Sequence, residues 1–157
     1  MKHVSFLVVL LVLCALSGCH FFEDDDEDTI LKTEFWTGMA DGTPQTTYDP
    51  FETIHFHLTI TNLSDTSQVW RQANSTGDDA DFILYRDGEF YGKTWDDSYL
   101  AIPREGEIPP GETHHIDIFW PANSIARGEY RVVSHLLIEF VTTDTPVDME
   151  REFTVER

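Results

Sequence analysis

A period of two in hydrophobicity leaves this chain few choices other than β-strands. Across residues 52–61, Ile54, Phe56, Leu58 and Ile60 alternate with Thr53, His55, His57, Thr59 and Thr61. Successive strand side chains leave opposite faces, so this spacing makes one face apolar and the other polar. Residues 147–156 repeat the pattern, with Val147, Met149, Arg151, Phe153 and Val155 on one side and Asp148, Glu150, Glu152, Thr154 and Glu156 on the other. No segment keeps a 3.6-residue apolar period for three turns, so no helix is expected.

The other strands follow from turn chemistry. Residues 81–86 and 89–91 flank Asp87-Gly88, a pair that tolerates the positive φ of a two-residue type I′ hairpin. Asn62-Leu63-Ser64-Asp65 ends the strand before it, and Ile108-Pro109-Pro110-Gly111-Glu112 makes another turn. Thr113 begins a strand that carries Ile116, Ile118 and Trp120 on one side and stops at Pro121. Gly128 opens a run to Val141 in which Tyr130, Val132, Ser134, Leu136, Ile138 and Phe140 share a face. With a shorter strand over residues 30–36, the pattern predicts an all-β, antiparallel immunoglobulin-like β-sandwich of about seven strands. Gly128 and Tyr130 have the spacing of a tyrosine corner, and Val132 stands where an antibody domain would carry its second Cys.

The N-terminus reads as an address. Lys2 precedes 13 almost wholly apolar residues, 4–16, which is short for a membrane span but suits a signal-peptide core. Leu16-Ser17-Gly18-Cys19 follows and resembles the bacterial lipobox, in which the Cys is lipidated and becomes the new N-terminus. Residues 1–18 are therefore expected to be a lipoprotein signal peptide. Residues 19–28 are expected to be a lipidated Cys19 plus an acidic tether, and residues 29–157 the sandwich. His20 follows Cys19, and the lipobox resemblance then implies outer-membrane sorting if the cell has an outer membrane. Cys14 leaves with the signal, so no disulfide is expected within the domain. The acidic run 23–28 repels itself and reads as a solvated spacer.

Several motifs, in order, resemble the BsuPI-type proteinase inhibitor family. They are Ile60 through Asp65, Asp81 through Gly88, Trp95 after the hairpin, Ile108 through Thr113, Trp120, and Arg127-Gly128-Glu129-Tyr130. The resemblance spans residues 51–136. It implies an immunoglobulin-like sandwich and, for the founding type, inhibition of an intracellular serine proteinase. None of the matching residues is one that the resemblance marks as a proteinase contact.

Composition narrows the function classes. A hydrophobic fraction of 41% with 11 Phe, 5 Tyr and 4 Trp excludes a disordered chain. A formal net charge of −19 excludes the basic footprint of a nucleic-acid binder. A Lys-poor, acidic surface often means a saline habitat rather than a cationic partner. No G-x-S-x-G elbow is present and no free thiol remains after lipidation, so no enzyme activity, catalytic residue or cofactor is expected. His55 and His57 leave one strand face about 7 Å apart. His114 and His115 leave opposite faces of another strand, and His135 lies on a third. A Cu or Zn site needs three or four converging ligands, so these His are taken as exposed strand residues and a His-based metal carrier is the third reading. Asp78, Asp79 and Asp81 near Gly77 lack EF-hand spacing and read as a polar turn. Trp95 and Tyr99, flanking Asp96-Asp97-Ser98, offer the rigid aromatic area of a partner-binding loop, although Trp95 also suits a core plug. The main expectation is an exported, lipid-anchored, non-catalytic protein-interaction module at the cell envelope. Its partners are the membrane, through Cys19, and another envelope protein, a proteinase among the candidates. A BsuPI-type proteinase inhibitor is the alternative.

Overall fold

The computed structural model describes residues 29–72, 78–94, 103–121 and 125–156. Among them are eleven strands and no helix. Strands β1 (Leu31–Gly38), β3 (Ile54–Asn62) and β8 (Thr113–Trp120) form one sheet in the order β1-β3-β8. A second sheet has the order β2-β11-β9-β5-β6, from β2 (Thr47–Tyr48), β11 (Met149–Val155), β9 (Gly128–Leu136), β5 (Ala80–Arg86) and β6 (Glu89–Lys93). A third small sheet runs β10-β4-β7, from β10 (Glu139–Phe140), β4 (Gln68–Gln72) and β7 (Arg104–Ile108). All pairings are antiparallel except the short β2–β11 contact.

The period-two faces meet as expected for an immunoglobulin-like sandwich. Ile54, Phe56, Leu58 and Ile60 of β3 are buried, as are Ala80, Phe82 and Leu84 of β5 and Tyr130 and Val132 of β9. Aromatic rings join the two larger sheets. Phe82 lies 5.4 Å from Phe35 and 5.2 Å from Phe56, and Phe153 contacts Phe56, Tyr48 and Tyr130. Fully burying one such side chain contributes roughly 1.5–3 kcal/mol. The tyrosine corner forms: the Tyr130 hydroxyl donates to the Ala126 carbonyl at 2.7 Å. Asp87 (φ 52°) and Gly88 (φ 83°) make the two-residue hairpin. Gly111 (φ 74°) serves the Pro109–Glu112 turn, closed by the Glu112 amide donating to the Pro109 carbonyl at 3.1 Å.

The structure corrects the sequence reading in four places. Among the described residues strands number eleven rather than about seven, because β2, β4 and β7 lack an apolar alternation and β10 splits off from a run read as one strand. In β4 the buried positions are Gln68, Trp70 and Gln72, so polar residues point inward and are paired there. Gln72 donates to the Asp78 carbonyl at 2.6 Å and accepts from Arg104 at 3.2 Å. In β7 the charged Arg104, Glu105 and Glu107 surround Gly106, over which Trp70 lies so closely that an added Cβ would sit 2.4 Å from the ring. The run 128–141 is two strands. After Leu136 the chain leaves β9 and joins β4 of the third sheet through β10, while Ile138 and Phe140 stay buried. Finally, Val147 lies outside β11 and is 83% exposed.

Candidate functional site

The outer face of the first sheet carries a polar and aromatic cluster. His55 and His57, two apart on β3, leave the same side. The register places Trp36 of β1 and Asp117 of β8 on either side of His57, and Gly38 and Phe119 on either side of His55. The rings form a row across the sheet: Trp36 stacks on His57 at 5.2 Å, His57 on His55 at 5.8 Å, and His55 tilts against Phe119 at 6.0 Å. Asp117 Oδ1 lies 3.0 Å from His55 Nδ1 and 3.7 Å from His57 Nδ1. Trp36 shields His57, which is why this face of β3 is less solvated than its polar sequence suggests.

The turn after β1 holds His57 from its other side. His57 Nε2–H donates to the Met39 carbonyl at 2.9 Å. Trp36 Nε1–H donates to the Gly42 carbonyl at 3.0 Å. Gly38 permits this fold-back, because a Cβ there would sit 2.5 Å from the Thr43 carbonyl oxygen. The Thr43 amide, donating at 2.9 Å, holds the Asp41 carboxyl below its ordinary range and fixes the turn.

A second polar centre lies at the far end of β3. Asn62 is fully buried. Its Nδ2 donates to the carbonyls of Thr66 (2.7 Å) and Ile108 (2.8 Å), and its Oδ1 accepts from the Ser64 amide (3.0 Å) and hydroxyl (2.7 Å). The Asn62 backbone also bonds Gly111 and Glu112. Two motifs far apart in sequence, residues 60–65 and 108–113, thus meet at one side chain. Asp79 makes a comparable tie, accepting from Arg104 Nη2 and lying 2.8 Å from His114 Nε2. Asp78 beside it has its carboxyl pushed up by burial and by the Asp79 charge. Asp79, in the polar turn before β5, therefore ties β7 and β8 to the second sheet, while Asp78 beside it is exposed.

The β5–β6 hairpin presents an exposed aromatic. Phe90 is 63% exposed and is braced edge-on by Tyr85 at 6.4 Å. The Arg131 guanidinium covers Tyr85 at 4.5 Å. A cavity of about 570 Å³ adjoins the hairpin, lined by Tyr85, Asp87, Arg131, Glu152, Thr46 and Thr47.

Of the residues expected to act, Cys19, Trp95 and Tyr99 lie outside the described residues. Of the five His weighed as ligands, the structure brings His55 and His57 together. His114 faces Asp79, His115 is exposed elsewhere, and His135 lies 3.0 Å from Asp148. Asp117 was not legible as a neighbour, being one acidic residue among 29. Only the β3–β8 register, opposing it to His57, marks it.

The model of the BsuPI family, described as intracellular proteinase inhibitor, matches residues 43–139, well over half of the chain. No curated protein matches in sequence. Among solved structures, the chain is similar to a β-glucosidase from Erythrobacter marinus (10% identity, TM-score 0.42, covering 79% of this chain and 16% of that one). It is similar also to a sporulation control protein from Bacillus subtilis (15% identity, TM-score 0.42, covering 82% and 50%). A β-glucosidase from Listeria innocua gives 15% identity and a TM-score of 0.40, covering 81% and 16%. The chain thus spans half or less of each of these proteins, and likenesses this weak carry no argument about activity.

Proposed function

The chain belongs to the BsuPI family of intracellular proteinase inhibitors, and from that premise we propose that it is a non-catalytic module that binds and inhibits a proteinase. The family match over residues 43–139 carries this reading. Lys2, the apolar run 4–16 and Leu16-Ser17-Gly18-Cys19 support export and lipid anchoring through Cys19. The target is then a proteinase outside the cytoplasm, at the envelope surface on which the tether 19–28 displays the domain.

The β5–β6 hairpin is the contact surface the geometry favours. An inhibitor gains affinity when its contact segment loses little freedom on binding. The two-residue Asp87-Gly88 turn and the Tyr85–Arg131 stack hold Phe90 outward on a fixed strand.

The test is titration of full-length protein, purified in detergent, against a panel of serine proteinases. The expected result is stoichiometric loss of activity of at least one of them, with the inhibitor uncleaved and with Phe90→Ala weakening the effect. No inhibition across the panel by the folded, intact protein would overturn the inhibitor reading and leave a binding module without that activity.

A further inference from the structure

We propose that His55, His57 and Asp117 bind a divalent first-row transition-metal ion on the outer face of the β1-β3-β8 sheet. The inference stands on the cluster's own geometry and is independent of the proteinase reading.

The argument begins with His57. A carbonyl oxygen only accepts, so the Met39 carbonyl at 2.9 Å fixes the proton of His57 on Nε2. Nδ1 of the neutral ring then presents a lone pair. That lone pair faces Asp117 Oδ1 at 3.7 Å, itself an acceptor when ionised. His55 Nδ1–H donates to the same oxygen at 3.0 Å, and an ion taking that proton's place shifts it to Nε2, freeing the Nδ1 lone pair. Three potential donor atoms to a metal therefore converge, each within 4.8 Å of the others. A tetrahedral ion with ligand bonds of about 2.05 Å sets its ligand atoms about 3.3 Å apart. The two separations to Asp117 bracket that value, and the separation between the two His, within 4.8 Å, closes to it by side-chain rotation.

The surroundings are those of a supported ligand set. Metal-bound His commonly donates its other N–H to a carbonyl or carboxylate, which fixes tautomer and ring orientation. His57 does so through Met39, and the Trp36 ring, itself anchored on the Gly42 carbonyl, stacks flat on it. Phe119 packs against His55 and limits its ring in turn. Two imidazoles and one carboxylate suit Zn(II) and its neighbours rather than Ca(II) or Mg(II), which want oxygen ligands. Asp117 is 48% exposed, so a fourth position opens to solvent for water or a donor from another molecule. Among the described residues no other set of three such groups converges.

Full-length protein in detergent, stripped with a chelator, would be titrated with Zn(II) by calorimetry at physiological salt. Co(II) would serve as an optical probe of four-coordination. The expected result is one equivalent bound, with d–d bands for Co(II), and affinity weakened by more than about tenfold in both Asp117→Asn and His55→Gln. His135→Gln, which removes the His135–Asp148 pair elsewhere, should leave the affinity unchanged. Absence of saturable one-to-one binding would overturn the site. So would equal affinity in Asp117→Asn and wild type, which would assign the heat to the diffuse acidic surface. Asp117 is exposed, so its variant carries the test even if His55→Gln does not fold.

Discussion

Asn62 and His57 sit on one strand and handle buried polarity in opposite ways. Asn62, on the inner face, has every side-chain hydrogen-bonding atom engaged, with two bonds donated and two accepted. His57, on the outer face, has one nitrogen committed to Met39 and the other turned toward a carboxylate that wants a cation or a proton. A saturated polar centre has nothing left to offer a ligand, so its contribution is to structure. A half-buried lone pair that faces a carboxylate is costly to keep unless something positive comes between them. The same strand therefore carries a rivet at one end and a receptor-like cluster at the other.

The comparison is most exposed to failure at the rivet. Asn62→Ala leaves the buried Ile108 carbonyl and the Ser64 amide without their partner, and should cost about 3 kcal/mol. A fall in melting temperature of roughly 10 °C is expected by calorimetry. Near-wild-type melting would mean that Asn62 is dispensable and the contrast is wrong. Gly106→Ala probes the same end from its apolar side. Gly106 lies two residues before the Ile108 carbonyl, and a Cβ there would press to 2.4 Å from Trp70. Overpacking of this kind should cost about 2 kcal/mol, read as a lower urea midpoint at unchanged m. Tyr130→Phe is an intermediate case, because it removes the bond to the carbonyl of Ala126, an exposed residue that water can reach. About 1 kcal/mol is expected from the same urea measurement.

The strongly patterned elements were legible and the conditional ones were not. Ile54 through Ile60, Phe82 with Leu84, and Tyr130 with Val132 announce burial because apolar residues recur at the strand period. Asp87-Gly88 announces its turn because few residues accept positive φ. By contrast, β4 buries Gln68 and Gln72, whose inward position pays only because Thr142, Ser64, Arg104 and the Asp78 carbonyl wait there. No local pattern encodes partners such as Arg104 and Thr142, 32 and 74 residues away. The break at Leu136 is hidden for a related reason. Inward alternation continues through Ile138 and Phe140 while the hydrogen-bonding partner changes from β5 to β4. At the outer-face cluster, the His55–His57 spacing was visible in sequence. Asp117 enters through register, and the proton position on His57 through a turn eighteen residues upstream.

The smallest stability effect is the sharpest test of the contrast. Asp117→Asn keeps the shape of the side chain and a carbonyl oxygen that still accepts from His55. Its carboxylate is 48% exposed, so the lost charge is largely screened and the metal-free domain should change by no more than about 0.5 kcal/mol. The melting temperature without metal should therefore be nearly that of wild type. Added Zn(II) should raise the wild-type melting temperature, since a ligand bound only by the folded state stabilises it by mass action, and should raise that of Asp117→Asn much less. A large destabilisation without metal would instead class Asp117 with Asn62, as a structural partner of His55 and His57, and would remove the distinction between the two ends of β3.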